Sequence, residues 1–133
     1  MPEPILLAET IITTALRNAL APLVDTYNGR AKAYWLLAEK GAPLPYTIFQ
    51  AQSDITRLDR IGDIGATVLI TLKTLAADEA QARELLARVA PAMANLAYPG
   101  YILTARYVRS PLIPASGGAS ASAHIYRLSI ERT

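Results

Sequence analysis

The sequence predicts an α+β fold in which a mainly antiparallel sheet of about five strands carries two helices on one face. Two segments show the spacing of amphipathic helices, and a third, Ala66 to Leu75, alternates apolar and polar residues as a half-buried strand does. These segments occur in the order helix, three strands, helix, two strands, without the strand-helix alternation of a parallel sheet. We expect the 133 residues to form a single domain, residues 1–133.

The first helix is predicted from Thr10 to Val24. Its apolar residues are spaced by four, four and three positions and form one stripe, which consists of Ile12, Leu16, Leu20 and Leu23. A turn at Asn28-Gly29 follows. The segment Ala31 to Glu39 is rich in aromatic and aliphatic residues and favours a first strand, with a helix as the alternative.

Two prolines and a glycine precede the second strand, in the stretch KGAPLPYTIFQ (Lys40 to Gln50). Proline fixes φ and pushes the residue before it into an extended conformation, so any preceding element must end by Gly41. The second strand is predicted from Tyr46 to Ser53. In the third strand, Ala66 to Leu75, one face should be buried, and it consists of Val68, Ile70 and Leu72.

The second helix is predicted from Asp78 to Leu96, with acidic residues at its N-terminal end. Its apolar face consists of Leu85, Val89, Met93 and Leu96. Pro91 removes one helical hydrogen bond, so the helix should kink or restart there. The last two strands are predicted from Tyr101 to Arg109 and from His124 to Arg132. The small residues between them predict a flexible loop over residues 110–123.

The composition favours a soluble protein with a subunit interface. Hydrophobic residues make up 52% of the chain and charged residues only 18%, and the mean hydropathy is +0.22. No run approaches the roughly 20 apolar residues of a membrane span, because Glu9 and Arg17 interrupt the first apolar stretch. The start MPEPILLAET lacks a basic segment, so we expect no signal peptide.

The charge pattern does not predict nucleic-acid binding. The isoelectric point is about 9.0, but 13 Lys and Arg stand against 11 Asp and Glu, and no basic run occurs. The seven tyrosines and one tryptophan could stack on bases, yet without a basic groove they indicate core or interface positions. With no cysteine there is neither a disulfide nor a thiolate metal site.

No motif in the sequence predicts catalysis, and we expect neither an enzyme nor a cofactor. His124 is the only histidine, stands at the start of a predicted strand and has no evident nucleophile or orienting acid. The serines near Gly117-Gly118 lack the turn that exposes a nucleophile, and these glycines lack the lysine of a phosphate loop. The aspartates between residues 54 and 63 do not have calcium-loop spacing and indicate a charged hairpin loop.

The order of elements and three stretches resemble the tail terminator, or tail completion, proteins of long-tailed bacteriophages. The first stretch is LAPLV (Leu20 to Val24), at the end of the first helix. The second is GAPLPYTIFQ (Gly41 to Gln50), where the family has a small-Pro-hydrophobic-Pro-Tyr start of a strand. The third runs from ATVLITLKTL through a helix of the DEAQARELLARV kind to a final strand pair with a long loop. The resemblance covers nearly the whole chain.

The resemblance implies a structural virion protein located in the tail or neck and assembled in the host cytoplasm. Subunits of such a protein form a ring, a hexamer, that caps the tail tube, ends tail polymerisation and presents a surface to the head-tail connector protein. Its partners would be copies of itself, the tail tube protein and the connector, with no membrane and no sequence-specific nucleic-acid binding.

The candidate interface residues lie in the two predicted loops. The stiff, apolar residues of the second loop are expected to dock as an extended anchor that orders on contact with a neighbouring subunit or the tail tube: Pro111, Leu112, Ile113 and Pro114. Arg57 and Arg60, in the charged loop after the second strand, are further candidates. Another phage neck or tail-tube structural protein and a small ligand-binding α+β domain are the alternatives.

Overall fold

A computed structural model of the chain describes residues 4–51, 66–113 and 118–133. Their helices and strands, in chain order, are α1 (Pro4–Leu20), β1 (Thr26–Tyr27), β2 (Arg30–Ala31), β3 (Ala33–Trp35), β4 (Tyr46–Ala51), β5 (Ala66–Ala76), α2 (Glu79–Val89), β6 (Tyr101–Arg109) and β7 (Ser120–Arg132). Short 3-10 segments, Ala21–Leu23 and Ala90–Asn95, follow the two helices. Among the described helices, none is long and apolar enough to cross a membrane.

The main sheet has five strands in the order β3-β4-β5-β7-β6. β3 runs parallel to β4, and the other neighbouring strands pair antiparallel. The longest ladder joins β5 and β7, from Ala66 opposite Ile130 to Ala76 opposite Ser120. β1 and β2 form a separate small hairpin whose turn residues, Asn28 and Gly29, have positive φ. The α+β architecture predicted from the sequence is therefore confirmed.

Both helices pack on one face of this sheet, and the apolar stripes predicted from their spacing form the core. Ile12, Leu16 and Leu20 of α1 are fully buried. The alternation in β5 is confirmed as well, because Val68, Ile70 and Leu72 are at most 2% exposed. Each apolar side chain buried in this way stabilises the fold by roughly 1.5–3 kcal/mol.

The second helix begins and ends as its residues dictate. The Asp78 side chain accepts a hydrogen bond of 2.8 Å from the backbone N–H of Gln81, which caps the N-terminus of α2. Pro91 cannot continue the α-helical bonding pattern, and α2 gives way to the 3-10 segment at Ala90. The restart predicted at Pro91 is confirmed.

Several element boundaries differ from the sequence prediction. The first helix was predicted from Thr10 to Val24, but α1 spans Pro4–Leu20, because a proline is tolerated in the first turn of a helix. The predicted strand Ala31 to Glu39 is reduced to β3, because the chain bends at Lys32 and Leu36 has a φ of 70° that ends the extended conformation. The predicted loop 110–123 is too long, since β7 begins at Ser120. Residues 120–123 pair with the end of β5, where a threonine hydroxyl approaches the Ser122 carbonyl. Pairing of this kind needs backbone groups rather than large side chains.

The proline-rich segment before β4 is tied to the hairpin side of the sheet through Lys32. Its side chain is buried, and Nζ donates a hydrogen bond to the Pro43 carbonyl at 3.3 Å. The backbone carbonyl of Lys32 accepts a hydrogen bond from the N–H of Thr47 at 3.0 Å. The backbone N–H of Lys32 donates a hydrogen bond to the carbonyl of Asp25 at 2.8 Å. The Leu44-Pro45 bond is cis. β4 starts at Tyr46, as predicted.

Candidate assembly interface

Large apolar side chains that stay exposed lie beside the two edge strands of the sheet. Of the described residues, six meet this description: Leu36 and Leu37 directly after β3, and Ile102, Tyr107, Val108 and Leu112 on or after β6. The two groups lie at opposite edges, since β3 and β6 are the outermost strands. Clusters of exposed apolar residues of this kind mark interaction surfaces.

At the β6 edge, backbone groups are available for pairing with another chain. The N–H of Thr133 donates to the carbonyl of Gly100 at 3.1 Å, which fixes the phase of the β6-β7 ladder. Because hydrogen-bonded and non-bonded pairs alternate in an antiparallel ladder, Leu103, Ala105 and Tyr107 direct their N–H and C=O groups away from β7. A row of this kind on a long edge strand is a template for strand addition.

The ladder between β6 and β7 contains a bulge between Tyr107 and Arg109. Tyr107 and Val108 are 56% and 40% exposed there, and Arg109 is exposed too. A bulge bends its strand and increases the local twist. The end of β6 therefore projects apolar and basic side chains together from the edge of the sheet.

Polar side chains next to this bulge satisfy one another. The hydroxyl groups of Tyr107 and Ser110 are 2.6 Å apart, and Nδ1 of His124 lies 3.1 Å from the hydroxyl of Tyr126. Burial lowers the pKa of His124, while burial and the nearby Tyr107 raise the pKa of Tyr126. His124 lies inside β7 rather than at the start of a strand, because β7 begins four residues earlier than the sequence indicated.

The opposite edge contains a cavity of about 630 Å³ beside β3. Residues from α1, the following 3-10 segment, the β1-β2 hairpin, β3 and the loop after it line the cavity: Arg17, Ala21, Arg30, Ala31, Ala33, Tyr34, Trp35, Leu37 and Glu39. Its volume lies within the range of cavities that enclose small ligands. Because the lining mixes small apolar, aromatic and charged residues, both apolar and polar groups of a partner can be bound.

Three residues that line this cavity, Tyr34, Trp35 and Glu39, have buried polar atoms without a hydrogen bond. Among the described residues, four buried side-chain atoms have no hydrogen bond: Oη of Tyr34, Nε1 of Trp35, Oε2 of Glu39 and Oγ1 of Thr47. The other carboxylate oxygen of Glu39 lies 3.9 Å from the guanidinium of Arg30, whose side chain is 80% exposed. Burial and the Glu39 charge raise the pKa of Tyr34. Buried polar groups without a hydrogen bond lower the stability of the fold.

Three of the interface residues predicted from the sequence are among the described residues, and their role stays a prediction. Pro111, Leu112 and Ile113 follow β6 and line a smaller cavity of about 290 Å³ between β7 and the start of α2, and Leu112 is 99% exposed. Pro114, Arg57 and Arg60 lie outside the described residues. The β3 cavity was not predicted, although the unusual run of apolar residues in AYWLL, before the prolines, was a signal for it.

The described residues contain no group of three or more histidine and acidic side chains that could hold a metal ion. Comparison with models of known protein families and with curated protein sequences finds no match.

Proposed function

We propose that the protein is a structural subunit that associates side by side with copies of itself into a closed ring. The observation that carries this proposal is the distribution of exposed apolar residues, which occupy the β3 and β6 edges of one sheet. With four steps between strands of about 4.8 Å each, these edges lie roughly 19 Å apart. One subunit can therefore contact two neighbours at once.

The two edges differ in shape, and this difference favours a ring over a symmetric dimer. The β6 edge offers a row of backbone groups and projecting side chains, whereas the β3 edge has only three strand residues and a cavity. A symmetric dimer joins the same patch on both subunits, while contacts between two different patches produce a ring when the rotation closes.

Within this structural class, we propose a tail terminator of a long-tailed bacteriophage. The sequence resemblance in LAPLV, GAPLPYTIFQ and the segment from ATVLITLKTL to the last strand pair supports this role. The ring, a hexamer, would cap the tail tube, end its polymerisation and present the surface that joins the head-tail connector. It would be part of the virion and would assemble in the host cytoplasm.

Native mass spectrometry tests the proposal. We expect one discrete oligomer over a wide range of concentrations, and binding of that oligomer to the end of purified tail tubes by electron microscopy. Monomers at every concentration, with or without tail tubes, would contradict the proposal. Open polymers of variable length would instead favour the alternative of a tail-tube protein.

A small ligand-binding domain is a second candidate, and the β3 cavity is the observation that favours it. The cavity combines Arg17, Trp35 and Tyr34 with a volume suited to a small molecule. In that case the protein would remain monomeric, and its melting temperature would rise when it is screened against a panel of small anionic and aromatic metabolites. Ring formation without any such shift would exclude this candidate.

A further inference from the structure

We propose that the cavity beside β3 receives the Leu112 segment, residues Ser110 to Ile113, of a second copy of the chain. This inference rests on the proposed function and specifies which surfaces meet in the ring. The β6 edge of one subunit would lie along the β3 edge of the next, with Leu112 inserted between the aromatic and aliphatic residues of the cavity.

Leu112 is the described large apolar residue most open to solvent, at 99% exposure. A lone exposed leucine is common on protein surfaces, but this one follows Pro111, which restricts the backbone and reduces the entropy lost on docking. Its neighbours on the same edge, Tyr107 and Val108, are exposed as well. The segment therefore has the properties of an anchor rather than of an isolated surface residue.

The cavity offers the surfaces that such an anchor needs. Leu37, Ala21 and Trp35 supply apolar contacts, and Leu37 itself is 80% exposed. The volume of about 630 Å³ accommodates several side chains rather than one. Insertion of Leu112 into the cavity would remove both Leu112 and Leu37 from water in one contact.

The two surfaces lie at the same level of the sheet. Residue pairing places Trp35, Phe49, Leu72 and His124 in one row across the strands, and Arg109 pairs with Ile125 in the adjacent row. The segment after Arg109 thus leaves the sheet at the level of the cavity on the opposite edge. Two subunits placed side by side can therefore bring the Leu112 segment of one to the cavity of the other without a long shift along the strand direction.

Charge also matches at one position. The Glu39 side chain is 27% exposed, and its Oε1 lies 3.9 Å from Arg30, while Arg109 is exposed three residues before Leu112. A guanidinium group from a second subunit can donate to this carboxylate as well. Because Arg17 and Arg30 also line the cavity, a free cation would be repelled, and Arg109 would enter only as part of the apolar segment.

The absence of cysteine from the chain allows a direct test by disulfide cross-linking. A protein with both Leu37→Cys and Leu112→Cys should give, under mild oxidation, a ladder of covalent oligomers on a non-reducing gel that ends at the ring size found by mass spectrometry. An equal mixture of the two single variants should give covalent dimers only. Each single variant alone should stay monomeric on the gel.

The outcomes separate this inference from the proposed function. Rings that form without any Leu37–Leu112 cross-link would overturn the inference and leave the ring proposal standing. Efficient dimers of the Leu112→Cys variant alone would show a symmetric contact and would also overturn it. Absence of any oligomer for the unmodified protein by native mass spectrometry would overturn both. A matched control, Ala87→Cys with Leu112→Cys, places one thiol on the exposed face of α2, away from the start of this helix, and should give no ladder.

Discussion

The two edges of the sheet, β6 and β3, differ in which polar groups are left without a hydrogen bond. Among the described residues of β6 and its neighbour β7, no buried side-chain atom lacks a hydrogen bond, but the backbone of Leu103 and Ala105 remains open. At the β3 edge, strand pairing is minimal, and the four unpartnered buried atoms all lie on the segment from Tyr34 to Thr47. One edge lacks backbone partners and the other lacks side-chain partners, so the two are complementary rather than equivalent.

We expect the largest effect on subunit association from charged residues placed on the β6 edge. The double variant Ile102→Lys and Val108→Lys replaces two exposed apolar residues, and lysines on an edge strand block the approach of another strand. With about 1.5 kcal/mol for each lost apolar contact, we expect the dissociation constant of the ring to rise roughly 100-fold. Analytical ultracentrifugation measures this shift.

The control for this variant is Ala87→Lys, a charge on the exposed face of α2 that lies away from the Leu112 segment. Substitutions at exposed sites away from an interface change stability by less than about 0.5 kcal/mol. Both proteins should therefore melt near the temperature of the unmodified chain, and only the edge variant should dissociate. Equal dissociation of both would show that β6 is not the contact surface.

The next prediction tests the Leu112 segment and the β3 cavity with one variant each. Leu112→Asp removes the anchor, and Ala21→Trp fills the cavity from an exposed position in its wall. Each variant alone should associate roughly 10- to 100-fold more weakly, from the 1.5–3 kcal/mol of one buried leucine. Mixed together, they retain one intact anchor and one intact cavity, so native mass spectrometry should show a one-to-one dimer and no ring.

A third prediction tests the unpartnered polar groups within the folded chain. Thr47 and Thr74 are cross-strand neighbours, both fully buried, but only the Thr74 hydroxyl is bonded, to the Ala82 carbonyl at 2.6 Å. Thr47→Val should raise the free energy of unfolding by about 1 kcal/mol, and Thr74→Val should lower it by about 1–2 kcal/mol. Urea denaturation measures both, and changes of the same sign would contradict the assignment.

The smallest effect concerns His124 on β7, the strand next to β6. Because burial lowers its pKa below 6.5, the unfolded chain binds a proton at pH values where the folded chain does not. Its stabilising contribution is complete above about pH 6.5 and is lost as the pH falls through the lower folded pKa. His124→Ala should flatten this part of the stability profile and leave assembly intact at pH 7.5. Loss of assembly with an unchanged melting temperature would reveal a functional role for this residue.

The sequence predicts secondary structure correctly where the pattern within one segment determines the conformation of that segment. Both helical stripes, the alternation in β5 and the turn before β4 follow from local spacing, and all were recovered. The start of β7 was missed because Ser120 to Ala123 carry no apolar pattern, and their pairing depends on β5, far away in the chain. Local rules do not contain such long-range pairing.

The β3 cavity could not be predicted for a related reason. Its walls come from α1, the hairpin and the loop after β3, so residues as distant as Arg17 and Glu39 share one site. Pro111 and Leu112 are different, because a proline and a leucine in a polar loop can be identified without any structure. A projecting group can be read from one segment, whereas a concave surface exists only after several segments pack together.

Lys32 lies between Ala31 and Ala33, two residues that line the β3 cavity, and its amine can report on local opening of this region, called the rim here. Its amine is held against the Pro43 carbonyl and the residue is only 5% exposed, so acylating reagents can reach it only when this region opens locally. The rate at which Lys32 becomes modified, followed by peptide mass mapping, therefore measures how often the rim opens. Exposed Lys40, eight residues further along the chain, provides the reference rate in the same sample.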